Sequence, residues 1–151
     1  FRGVRHRIEV VCERDGKTYI DDSKGTNTDA TIKAVESMHR ETVILLGGKD
    51  KGYEYYPLFK KLKESYVVHA VLYGENRMRL LSAAQEAGFA NFSLCTDFDV
   101  AVSIADHVAK SGQNVLLSPA SSSFDQFSGY EERGDAFARL VKGGGLRNED
   151  A

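Results

Sequence analysis

Three polar stretches in this 151-residue chain carry residue types that could hold an anion. They are Asp21-Asp22-Ser23-Lys24-Gly25-Thr26-Asn27, Gly47-Gly48-Lys49-Asp50-Lys51-Gly52 and Ser118-Pro119-Ala120-Ser121-Ser122-Ser123-Phe124-Asp125. The lysines supply charge, the hydroxyls supply directed donors, and the glycines let backbone N–H groups approach a ligand closely. A helix that begins just after such a loop adds the positive end of its dipole. Any one of these stretches reads as an ordinary solvated turn. Three of them at one rim of a sheet would form a ligand cup, because open α/β sheets bind ligands outside the carboxyl ends of their strands. His6-Arg7, just before the first strand, adds two adjacent donors suited to phosphate.

Other chemistries lack their signatures. The sequence has no G-x-G-x-x-G for a dinucleotide and no G-x-S-x-G nucleophile elbow. Gly47 to Gly52 has the glycine spacing of a P-loop, but Tyr53-Glu54 follows where Lys and Ser/Thr are needed. The four histidines, His6, His39, His69 and His107, show no H-x-x-x-H spacing, which argues against zinc. His39, His69 and His107 are expected at or near the surface. Cys12 and Cys95 form no metal or disulfide pattern; they read as small buried residues of a protein from a reducing cytoplasm. A net charge of −2 makes nucleic acid an improbable partner. The longest apolar runs fall well short of the roughly 20 residues that span a bilayer. No signal-peptide or lipidation pattern stands out, and a chain that starts with Phe1 is expected to continue a longer one.

The elements that must position the loops follow from periodicity. Residues 8–12 and 18–20 predict a hairpin around Asp15-Gly16. Apolar runs at 42–46, 66–73, 91–94 and 114–117 predict further strands. Helices are predicted over 28–39, 56–65, 76–87, 99–110 and 131–141. Thr31, Ala34, Val35 and Met38 line one stripe of the first, and Met78, Leu81 and Ala84 one face of the third. Gly88 and Gly112 are stop signals, and Gly134 weakens the start of the last helix. Strands alternating with amphipathic helices imply a Rossmann-like, doubly wound, mainly parallel α/β sheet with helices on both faces and an antiparallel hairpin at the N-terminal end. One domain is expected over residues 1–142, with 143–151 as a flexible tail.

The three loops, with Gly3-Val4-Arg5-His6-Arg7 before them and Tyr130-Glu131-Glu132-Arg133-Gly134-Asp135 after them, occur in a telling order. Together they resemble the C-terminal domain of the Mur ligases of peptidoglycan synthesis, over about residues 1–142. The Asp22-Ser23-Lys24 loop resembles the members that add D-glutamate to UDP-N-acetylmuramoyl-L-alanine. The resemblance implies a cytoplasmic bacterial enzyme of three domains that uses ATP and Mg2+, both held mainly by a central domain that this chain lacks. It implies an acyl-phosphate intermediate, and a domain that is inactive alone. It implies that Lys51, Thr26 and Ser123 hold the D-glutamate carboxylates, with backbone help near Phe124, ring packing from Tyr130, and Lys24 beside the pocket. It implies that His6, Arg7 and Asp22 reach ATP when the domains close. The sequence departs from the family pattern at Gly25, where alanine is common, at Ser121-Ser122, where Cys-Ala is usual, and at Lys51, where some relatives carry arginine. The residues alone also fit a stand-alone α/β module for a small anion or nucleotide.

Overall fold

A computed structural model describes residues 3–144. The expected flexible tail begins inside this range, but residues 145–151 lie outside it. The chain runs β1 (Glu9–Arg14), β2 (Lys17–Asp21), α1 (Thr28–Glu36), β3 (Thr42–Gly47), α2 (Tyr56–Lys63), β4 (Val67–Tyr73), α3 (Arg77–Ala87), β5 (Phe92–Leu94), α4 (Phe98–Val108), β6 (Asn114–Leu117) and α5 (Tyr130–Arg139). A π turn, Leu140–Gly144, continues α5. The strands form one six-stranded sheet in the order β1-β2-β6-β3-β4-β5. Only the β1–β2 hairpin is antiparallel; every other pair is parallel.

Alternation along the strands divides the core in two. Ile20, Ile44, Leu46, Ala70, Leu72 and Leu116 face a layer built by α1, α2 and α3. Tyr19, Val43, Leu45, Val71, Tyr73, Val115 and Leu117 face α4, α5 and the π turn. Strands covered on both sides need apolar residues at successive positions, and all of β3 and β6 is buried.

Local chemistry fixes several boundaries. Asn27 caps α1 by accepting from the Ala30 N–H at 2.9 Å. The expected stripe of α1 is buried as read. That of α3 holds in part: Ala84 is buried and Leu81 packs partly buried against the core, but Met78 is 54% exposed, and Leu80, Ala83 and Ala87 complete the buried face. Cys12 and Cys95 are half-buried rather than fully enclosed.

Candidate functional site

Strand β6 lies between β2 and β3, and the register holds their carboxyl ends level. Asp21 pairs with Leu117, and Leu117 with Leu45. The chain leaves β3 toward α2 on one face and leaves β6 toward α5 on the other. Neighbouring strands whose connections part to opposite faces open a crevice between them. The loops of residues 21–27, 47–52 and 118–127 meet there, joined by backbone hydrogen bonds. Asp22 N–H donates to Leu117 O at 2.7 Å, Ala120 N–H to Gly25 O at 2.9 Å, Gly47 N–H to Pro119 O at 3.1 Å and Lys49 N–H to Ser122 O at 3.0 Å. Gly48, at φ 149°, allows the close approach: a Cβ there would collide with the Ser122 carbonyl and lie 3.0 Å from Ser121 Cβ.

The structure brings most of the sequence-derived candidates to this rim. Lys51 is exposed, and its Nζ stands 5.9 Å from the centroid of the Phe124 ring, which is 61% exposed. Ser123, on the same loop as Phe124, is buried, and its hydroxyl has no hydrogen-bond partner; the neighbouring Ser122 hydroxyl shares that state. A buried hydroxyl without a partner carries an uncompensated desolvation cost, which a ligand acceptor would relieve. Thr26 is half-buried on the loop that Gly25 ties to Ala120. Lys24 Nζ donates to Tyr130 Oη at 3.0 Å and lies 4.6 Å from that ring's centroid.

His6, Arg7 and Asp22 form a second group beside the hairpin. Arg7 is exposed. The other two are buried and already partnered inside the domain. His6 Nδ1 lies 2.6 Å from Asp21 Oδ2, and its ring meets Tyr130 edge-on at 6.1 Å. Asp22 accepts from Ser118 Oγ at 2.6 Å and from the Ile8 N–H at 3.1 Å. Burial pushes the Asp22 carboxyl above its ordinary pKa, against the pull of those two donors.

Three residues not expected from sequence hold the rim together. Asn76 donates from Nδ2 to Tyr55 Oη and Ser121 Oγ, each at 2.9 Å, and accepts from Gly48 N–H at 3.0 Å. Glu75 accepts from Asp50 N–H at 2.8 Å and pairs with Lys49 at 3.5 Å. Arg133, on α5, is wholly buried and donates to Ser23 and Ser121. Its position three, four and seven residues before Ala136, Phe137 and Leu140 puts it on the buried stripe, the one sequence signal that could have found it.

Among the described residues, the one group of metal-capable side chains with ligand atoms within 4.8 Å of one another is His6, Glu9 and Asp21. It does not fit Mg2+. Its Asp21 oxygens hold His6 Nδ1 and Ser23 N–H, and Glu9 accepts from His6 N–H at 2.9 Å. Magnesium prefers open oxygen ligands with several waters. Also among the described residues, no helix is long and apolar enough to cross a membrane.

The family model described as "Mur ligase, glutamate ligase domain" matches residues 6–121. The UDP-N-acetylmuramoylalanine–D-glutamate ligase of Pelotomaculum thermopropionicum is 47% identical over 141 residues, which are 93% of this chain and 31% of that protein. The enzyme of the same name from Caldicellulosiruptor saccharolyticus is 42% identical over the same shares. The chain thus spans about a third of the length of these relatives. A MurF ligase from Thermotoga maritima, solved in complex with ADP, superposes with a TM-score of 0.58 at 17% identity, over 94% of this chain and 32% of that one. A domain of a putative UDP-N-acetylmuramate:L-alanyl-gamma-D-glutamyl-meso-diaminopimelate ligase from Haemophilus ducreyi superposes at 0.57 and 16% identity, over 96% of this chain and all of that one. With three quarters of its residues matched by the family model and relatives above 40% identity, the chain belongs to the Mur ligase family, as a glutamate ligase domain.

Proposed function

We propose that this chain is the amino-acid-binding C-terminal domain of an ATP-dependent ligase that joins D-glutamate to UDP-N-acetylmuramoyl-L-alanine in the bacterial cytoplasm. One observation carries the reading. At the β3–β6 crevice an exposed lysine, Lys51, stands 5.9 Å from the Phe124 ring, on the loop whose buried Ser122 and Ser123 hydroxyls lack partners among the described residues. That set suits a carboxylate, and the relatives at 41–47% identity are named for D-glutamate.

In this reading, Lys51 places a point charge on one D-glutamate carboxylate, while Thr26 and Ser123 donate to fix its direction. The backbone near Phe124 helps hold the carboxylates, the Tyr130 ring packs against the amino acid, and Lys24 stands beside the pocket. The amine is thereby held toward the substrate carbonyl. ATP, bound mainly by the rest of the enzyme, phosphorylates the free L-alanyl carboxylate of the UDP-sugar substrate to an acyl phosphate and becomes ADP. The glutamate nitrogen then attacks that carbonyl, loses a proton, and phosphate departs. Mg2+, held by the rest of the enzyme, would supply charge neutralisation for phosphoryl transfer, and no residue of this chain is assigned to it. His6, Arg7 and Asp22 are assigned to ATP across the closed cleft; of the three, Arg7 is exposed in this domain, while His6 and Asp22 are buried. Closure brings amine and acyl phosphate together, and such positioning supplies several kcal/mol of the barrier.

The test is a Lys51→Ala substitution in the full-length enzyme. D-glutamate-dependent phosphate release at limiting D-glutamate should fall at least about tenfold, the scale of one lost charge-assisted contact. An unchanged rate removes Lys51 from the site.

A further inference from the structure

Arg133 is the largest wholly buried side chain among the described residues, and a charged one. Lys, Arg, Asp and Glu almost never reach full burial unless paired. None of the ion pairs among the described residues involves it. Its three donor contacts go to neutral oxygens. Nε donates to Ser23 Oγ at 2.8 Å, Nη2 to Ser23 O at 2.7 Å, and Nη1 to Ser121 O at 2.9 Å. Ser23 Oγ passes the chain on by donating to Tyr130 O at 2.7 Å.

These contacts span the rim. Ser23 belongs to the loop that carries Lys24 and Thr26, Ser121 to the loop that carries Ser123 and Phe124, and Arg133 and Tyr130 to α5. On its other side the guanidinium is adjacent to Gly48: Nη1 would lie 3.4 Å from a Cβ built there. One planar fork thus hydrogen-bonds two of the loops and lies beside the third. A lysine ammonium also has three donors, but on one atom, without the spread and planarity of the fork.

Its charge is the second half of the observation. Burial works against its protonated form; the Tyr73 hydroxyl favours it, as do Asp125 and Asp21 from beyond ion-pair distance. Positive charge in a poorly solvated layer under the crevice attracts an anion placed above it more strongly than a solvated lysine would.

We propose that Arg133 is a positioning residue for the amino-acid site: it clamps the loops after β2 and β6 at the spacing the ligand needs, and its unpaired charge favours a carboxylate in the crevice. The proposal rests on the glutamate-site reading above and adds the residue that builds that site without touching the substrate.

The experiment compares Arg133→Met and Arg133→Lys in the full-length enzyme, with KM measured separately for D-glutamate and ATP on the folded fraction. Arg133→Met should raise the KM for D-glutamate about tenfold or more, the scale of a lost charged hydrogen-bond set. Arg133→Lys, which keeps charge without the fork, should raise it less, about threefold. The KM for ATP should stay within twofold in both. Should Arg133→Met fail to fold, Ser23→Ala removes the Nε acceptor together with the hydroxyl's bond to Tyr130 O, leaves the Nη1 and Nη2 bonds in place, and should raise the KM for D-glutamate about threefold. A lower melting temperature with an unmoved KM for D-glutamate in the variants that fold overturns the proposal, as does an equal rise in both KM values. Wild-type enzyme that turns over without D-glutamate would instead overturn the glutamate reading itself.

Discussion

Asn76 joins three buried groups that have few other options. The Gly48 N–H donates to it, and it donates to Ser121 Oγ and Tyr55 Oη. Asn76→Ala strands the Gly48 N–H in a closed setting, while Ser121 and Tyr55 keep each other at 3.2 Å and Tyr55 Oη keeps the Ala120 carbonyl at 3.4 Å. An unsatisfied buried donor costs about 1–3 kcal/mol, so the substitution should destabilise the domain by about 2–4 kcal/mol in urea denaturation. A loss below about 0.5 kcal/mol would mean that water enters and replaces the amide. Residues of this kind are hard to see in sequence. Thr26, Lys51 and Ser123 are legible because they are polar, stand in loops and follow strand ends. Asn76 and Arg133 act from beneath the surface, and their types argue for exposure. The same polarity that made His6 and Asp22 legible as donors and acceptors concealed that both are already partnered within the domain.

At the scale of the element, α5 sets helix propensity against packing. Gly134 stands inside the helix, where alanine would be favoured by up to about 1 kcal/mol in a free helix. Here a Cβ at residue 134 would overlap His6 Nδ1 and stand 2.8 Å from Asp21 Oδ2. The glycine lets α5 lie directly on the buried His6–Asp21 pair. Overpacking typically costs about 1–3 kcal/mol, which exceeds the propensity gain. Gly134→Ala should therefore lower the melting temperature, and a rise would show that His6 can move aside at little cost. The sequence shows the glycine and its local penalty but not the partner that requires it, which comes from a segment far earlier in the chain. The α3 stripe holds only in part for a related reason. Ala83, Ala84 and Ala87 carry the buried face with little hydrophobic signal, whereas the long apolar Met78 lies on the solvent side.

For the whole molecule, periodicity marks out strands and helices but not which strands become neighbours. The insertion of β6 between β2 and β3 makes three distant loops adjacent, and that order depends on crossovers reversing after β5. The doubly wound class was legible; the β3–β6 switch point was not, because nothing in one strand's composition names its partner. The resulting crevice is open. Lys51 and Phe124 remain exposed at its mouth, and the chain covers about a third of the relatives that share it. A charge contact facing water contributes at most about 1 kcal/mol, and holding a flexible amino acid in place offsets much of that. The isolated chain should therefore bind D-glutamate weakly, with a Kd of about 1 mM, equivalent to about −4 kcal/mol. Titration calorimetry of the 151-residue chain measures this directly. Submicromolar affinity would require several kcal/mol that the open crevice does not offer, and would mean that the pocket is complete within this domain rather than finished by closure.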